Sequence, residues 1–95
     1  MVIEKIMNGN ECTLKLTGRL DTTTAPALTD DLNKIEATAI VFDLSDLEYV
    51  SSAGLRVFLS THKKMNGNMI IRHPQSMIMD VLEITGFLDI LKIEE

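Results

Sequence analysis

Few residues in this 95-residue chain can do nucleophilic or acid–base chemistry. Two adjacent serines, Ser51 and Ser52, stand where an apolar run gives way to a helical pattern. Asp21 opens Asp21-Thr22-Thr23-Thr24, and His62 and His73 are the two histidines. A serine, a histidine and an aspartate invite a hydrolytic triad, but the spacing argues against one. His62 lies ten residues beyond Ser52 along one predicted helix, about 15 Å of rise. His73 follows a different strand, and Ser51-Ser52 lacks the G-x-S-x-G elbow that exposes a nucleophile. Little chain is left to wall a substrate pocket of roughly 300 Å3. No catalytic residue is therefore assigned, and His73 reads as a strand-end residue bonded to backbone or water. No His/Cys/Asp cluster has metal-ligand spacing, and no glycine-rich loop follows a strand in the phosphate-cradling pattern. Neither a metal nor a cofactor is expected.

The other chemistry open to these serines is to be modified or bound, which depends on where the chain holds them. Ile40-Val41-Phe42 is a short apolar run suited to a central strand, with the third strand read as Ala39 to Leu44. A polar loop, Ser45 to Ser52, leads from it to a helix running from about Ser52 to Met65. Leu55, Phe58, Leu59 and His62 recur at helical spacing along that helix. Ser51 or Ser52 then sits at the cap, where a hydroxyl can accept from a free amide of the first turn. Gly54 in the first turn costs about 1 kcal/mol of propensity relative to Ala, and leaves bare backbone that something can approach.

The remaining elements follow from turn residues and periodicity. Val2 to Met7 and Cys12 to Thr17 flank Asn8-Gly9-Asn10 and predict an antiparallel hairpin. Cys12 lies on its apolar side, as a core thiol. Thr22-Thr23-Thr24 offers N-caps before Ala25-Pro26, and Leu28, Leu32 and Ile35 give the first helix its stripe, ending before Thr38. Met69 to Arg72 is a fourth strand, and Gln75 to Thr85 a third helix with Met77, Ile78, Val81, Leu82 and Ile84, closed by Gly86. Leu88 to Ile93 is read as a last strand with a phase slip near Asp89. The order β-β-α-β-α-β-α-β predicts an α/β fold, a mixed and mostly parallel sheet of four to five strands with about three helices beside it. Parallel second, third and fourth strands would bring Asp21, Ser51, Ser52 and His73 to one edge, where open α/β sheets place their sites.

Composition narrows the function. The length bounds one domain, residues 1–95. No apolar run is long enough for a membrane span, and no signal peptide is visible. One cysteine forms no internal disulfide, so the cytoplasm is the expected compartment. A net charge of −5 argues against direct nucleic-acid binding. Lys63-Lys64 reads as the solvated end of a helix.

Three stretches then carry a resemblance. Tyr49-Val50-Ser51-Ser52-Ala53-Gly54-Leu55-Arg56-Val57 is similar to the signature of STAS domains, the bacterial anti-sigma factor antagonists. Leu16-Thr17-Gly18-Arg19-Leu20-Asp21-Thr22-Thr23-Thr24-Ala25 resembles the family's first block, and Gly86-Phe87 with its apolar tail the third. In the family's pattern a phosphorylatable serine precedes a small residue and Gly-Leu, which is the position of Ser52; the preceding residue, often aspartate, is Ser51 here. The resemblance implies phosphorylation at Ser52, with Ser51 the runner-up. It implies a docking surface drawn from Asp21, Thr22, Thr23, Ser51, Ser52, Ala53, Gly54, Leu55 and Arg56. The unmodified protein would bind an anti-sigma factor that is also a serine kinase, freeing a sigma factor; a separate phosphatase would reset the switch. The protein would be substrate and ligand, not an enzyme. Two rival expectations keep the same fold: a constitutively bound accessory subunit of a transport or stressosome complex, and a nucleotide-binding regulator using the same loop edge.

Overall fold

The chain turns at Asn8-Gly9-Asn10, as those residue types favour. Strand β1 (Val2–Asn8) returns antiparallel as β2 (Glu11–Leu20), with Asn8 opposite Glu11. The computed structural model describes all residues, 1–95. After β2 come α1 (Ala25–Asn33), β3 (Ala39–Val50), α2 (Ser52–Lys64), β4 (Met69–Arg72), α3 (Ser76–Ile84), a 3-10 turn (Phe87–Asp89) and β5 (Lys92–Glu94). The five strands lie side by side in chain order, with β2 to β5 parallel. This is the mixed α/β architecture that the alternation of elements predicts.

Right-handed crossovers between strands laid down in sequence put every helix on the same face. The core therefore forms on that face alone. Leu14 and Leu16 of β2, Phe42 of β3, Phe58 of α2, and Ile78 and Leu82 of α3 all join one buried cluster. The Phe42 and Phe58 rings meet at 4.9 Å in a tilted arrangement, worth about 1 kcal/mol beyond the area they bury. Cys12 is fully enclosed in this cluster, and burial raises its thiol pKa. No helix is long and apolar enough to cross a membrane.

The opposite face carries no helix. Register pairs Glu4 with Lys15, Lys15 with Asp43, Asp43 with Arg72, and Arg72 with Glu94. One charge per strand thus crosses the whole sheet with alternating sign, an arrangement that favours this register. Arg72 Nε reaches Glu94 Oε1 at 2.8 Å, while Lys15 Nζ leans to Asp46 Oδ2 at 3.2 Å.

Four local expectations need correction. β3 does not stop at Leu44 but runs to Val50, so the segment expected to be a loop is strand. Leu44, Leu47 and Val50 all point into the core, three residues apart instead of two. Register slips against β2, at Lys15/Thr17 and Gly18/Arg19, make that spacing possible. On α2 the buried stripe is Gly54, Leu55, Phe58 and Thr61; Leu59 and His62 are only half-buried. The Thr61 hydroxyl donates to the Val57 carbonyl at 2.8 Å, which makes it acceptable inside. On α3, Ile84 is 85% exposed and lies outside the stripe. Finally, Leu88 to Ile93 is not one strand: after Gly86, left-handed as expected of a helix terminator, a 3-10 turn precedes a three-residue β5.

Candidate functional site

The extension of β3 decides what meets what. β4 ends at Arg72, opposite Asp43, whereas β2 and β3 continue together to Leu20 and Val50. The sheet edge is therefore stepped by seven residues of β3, about 20 Å of strand. Asp21 and Ser51 emerge side by side at the far step, where the Ser51 amide donates to the Leu20 carbonyl at 2.9 Å. His73 stays behind at the near step, beside Asp43, and its amide donates to the Glu94 carbonyl at 2.8 Å. The single neighbourhood expected for Asp21, Ser51, Ser52 and His73 does not form. The His73 main-chain amide is bonded at the strand end, and about 20 Å of strand lies between that step and Ser51-Ser52.

At the far step the two serines have different fates. Ser51 is the N-cap of α2, with extended backbone (φ −98°, ψ 177°), and its carbonyl accepts from the Leu55 amide at 3.0 Å. Its hydroxyl makes no capping bond. Ser51 Oγ is sealed from solvent and has no hydrogen-bond partner. The hydroxyl cap expected at this helix is thus absent, and the first-turn amides keep their positive end bare. Ser52, one residue later, is exposed. It stands in the first turn of α2, at the helix end that favours negative charge.

Gly54 holds this end in place. A Cβ there would stand 2.7 Å from Leu20 Cγ and 2.7 Å from Val50 Cγ2. The close approach anticipated at Gly54 is made by the ends of β2 and β3, not left open to a visitor. Leu55 is also buried. Gly54 and Leu55 therefore support the surface from beneath, while Ser52 and Arg56 are exposed and Ala53 is half-exposed.

The turn after β2 forms the neighbouring rim. Asp21 Oδ1 accepts from the Thr23 hydroxyl at 2.7 Å, the Thr23 amide at 3.0 Å and the Thr24 amide at 3.2 Å. These bonds, the Thr23 hydroxyl foremost, hold the Asp21 carboxyl below its ordinary pKa. The Thr24 hydroxyl donates to the Arg19 carbonyl at 2.9 Å and accepts from the Asp21 amide at 2.8 Å. Thr24 is thus the formal cap of α1 without a side-chain capping bond of its own, and Asp21 fixes the turn instead. Thr22 and Thr23 stay exposed. Arg19 lies over the Tyr49 ring at 4.3 Å and 3.9 Å from Asp21 Oδ2.

One feature of this region is not legible in the motif. A groove of about 530 Å3 runs between α1 and α2, lined by Thr22, Pro26, Ala53, Arg56, Val57, Ser60 and others. The signal for its α2 wall is a period of four: Arg56, Ser60 and Lys64. No group of His, Cys, Asp and Glu is arranged to hold a metal ion.

Residues 2–95 match the family model of the STAS domain. The chain belongs to the STAS domain family. Two curated relatives are similar to it in sequence. The putative anti-sigma factor antagonist BtrV of Bordetella bronchiseptica is 39% identical over 57 residues, 57% of this chain. That match spans about half (49%) of BtrV. The anti-sigma-B factor antagonist of Bacillus subtilis is 29% identical over 91 residues, 90% of this chain and 84% of the relative. Two solved structures share the fold. A putative anti-sigma factor antagonist from Thermotoga maritima superposes with a TM-score of 0.87 at 23% identity, covering 98% of this chain and 86% of the other. The Bacillus protein SpoIIAA in its phosphorylated form gives 0.69 at 16% identity, covering 99% and 92%.

Proposed function

We propose that this STAS protein is an anti-sigma factor antagonist switched by phosphorylation of Ser52. Its unmodified form binds an anti-sigma factor that is also a serine kinase, and so frees a sigma factor in the cytoplasm. The kinase transfers the γ-phosphoryl group of ATP to Ser52 Oγ, and a phosphatase removes it. The STAS protein is substrate and ligand in this cycle, not catalyst.

The observation that carries the reading is the contrast between neighbours: Ser52 is exposed at the bare N-terminus of α2, while Ser51 Oγ is sealed. The printed names of the Bordetella and Bacillus relatives point to the same activity. The Bacillus structure supports the idea that this fold carries a phosphate. A phosphoserine brings about −1.5 to −2 charges at pH 7. On its own molecule that charge meets the positive end of α2, free first-turn amides and Arg56 four residues on, all favourable. Packed against a partner it is desolvated and meets any facing acid. A hundredfold loss of affinity needs only about 2.7 kcal/mol, and misplaced like charges can cost several. Exposed Thr22, Thr23, Ser52 and Arg56 form the docking rim in this reading.

Pulldown on the immobilised kinase tests it, using Ser52→Ala and Ser52→Asp with melting curves for both. Ser52→Ala is expected to bind like the unmodified protein and to escape inactivation. Ser52→Asp is expected to melt like the parent and fail to bind. Equal retention of both folded variants contradicts the switch.

A further inference from the structure

The groove between α1 and α2 has a chemistry that the switch does not use. Both helices are crossovers between parallel strands, so they run in the same direction and their ends correspond. A 13-residue α2 makes the groove about 20 Å long. At the N-terminal end its walls are Thr22, Ala25, Pro26, Ala53 and Arg56. Toward the C-terminal end they become Leu32, Ile35, Ile40 and Met65. The groove thus has Arg56 toward its N-terminal end and Lys64 toward its C-terminal end, with apolar Ile35, Ile40, Val57 and Met65 among its lining.

Charge distinguishes it from the surrounding surface. The chain carries a net charge of −5, yet the groove is lined by Arg56 and Lys64 against one carboxylate, Asp30. Neither Arg56 nor Lys64 is among the four ion pairs of the molecule, formed by Lys5, Lys15, Arg19 and Arg72. Arg56 lies within the first turns of α2, where the helix dipole adds to its attraction for an anion. Lys64 lies at the opposite pole, where the dipole opposes one. No aromatic side chain lines the groove, which removes the stacking surface that a nucleobase uses. The volume of about 530 Å3 falls in the range of small-molecule sites.

We propose that this groove binds a single-chain anionic amphiphile, a fatty-acid-like carboxylate with its head group at Arg56 and its chain against Val57, Ile35 and Met65. Arg56 lies four residues from Ser52, so a phosphate there competes with a carboxylate for the same guanidinium, and the test uses the unmodified protein. It touches the docking rim at Thr22, Ala53 and Arg56, so the proposal gives the same helix a second input.

Sodium decanoate below its micellar concentration is the probe, titrated into the whole protein and followed by backbone amide chemical shifts. Saturable shifts are expected at Ala53, Val57, Thr61 and Met65. Arg56→Gln is expected to weaken decanoate about tenfold, the loss of one charge-assisted hydrogen bond at a partly solvated site, and to leave 1-decanol unchanged. Ser60→Trp plugs the groove from an exposed position and is expected to abolish both, with an unchanged melting curve. Absent or unsaturable shifts overturn the proposal, as do shifts centred on exposed Val2 and Ile6 of β1, or equal affinity in parent and both variants. An acidic amphipathic peptide that moves these amides where decanoate does not would also overturn it, and assign the groove to a protein. No kinase enters the experiment, so its failure leaves the phosphorylation switch standing.

Discussion

On the open face of the sheet the charged groups find one another; at the start of α2 the polar groups do not. Glu4, Lys15, Asp43, Arg72 and Glu94 alternate in sign across five strands, and Asp43 Oδ1 also accepts from the Ser45 amide and hydroxyl at 3.0 and 2.8 Å. At α2 a serine hydroxyl is buried without a partner, the helix has no side-chain cap, and a second serine faces water. A satisfied polar surface has done its work in the folded monomer. An unsatisfied one keeps binding capacity for something else, which is why function is assigned to the helix start and not to the more heavily charged face.

The comparison can be broken at several points. The largest effect is expected at Gly54, because the unsatisfied end of α2 stays where it is only while it is clamped to Leu20 and Val50. Gly54→Ala inserts a Cβ at 2.7 Å from both. It should cost about 2 kcal/mol, a fall in Tm of about 10 °C for so short a chain, read by calorimetry. An unchanged Tm would mean that the clamp is slack.

Ser51→Ala sharpens the contrast from the other side. Replacing a hydroxyl that caps a helix costs about 1 kcal/mol. Removing a buried hydroxyl that bonds to nothing is neutral or stabilising. Ser51→Ala is therefore expected to hold or raise Tm, and a clear fall would show that Ser51 caps α2 after all.

The open face should respond least. Lys15→Met removes a solvent-reachable partner of Asp46 and should shift Tm less than either helix variant, and less still in high salt. Asp43 adds a pH test. Burial alone would raise its pKa, but the Ser45 amide and hydroxyl, with His73 and Lys15, outweigh it and leave the value lowered. A lowered folded pKa gives stability that is present above the unfolded value, near 3.9, and is lost as pH falls through the folded one. The Tm difference between pH 7 and pH 3 should therefore shrink in Asp43→Asn.

Much of the fold is legible in the sequence. Asn8-Gly9-Asn10, Ala25-Pro26 and Gly86 mark turns and helix ends by their own backbone preferences, and the order of elements follows from them. The second half of β3 was hidden because bulges replace its period of two with a spacing of three, from Leu44 to Leu47 to Val50. The alternating charges were hidden because register between strands is set by packing, not by any local run of residues. The two serines look equivalent in the chain. Only the extension of β3 and the clamp at Gly54 decide which hydroxyl turns inward.

That decision is tested most directly by incubating the protein with its kinase and ATP and locating the phosphate by tandem mass spectrometry. A gain of one phosphate, confined to Ser52, is the predicted result. Phosphate on Ser51, or a protein that stays unmodified while the kinase remains active, would contradict the account.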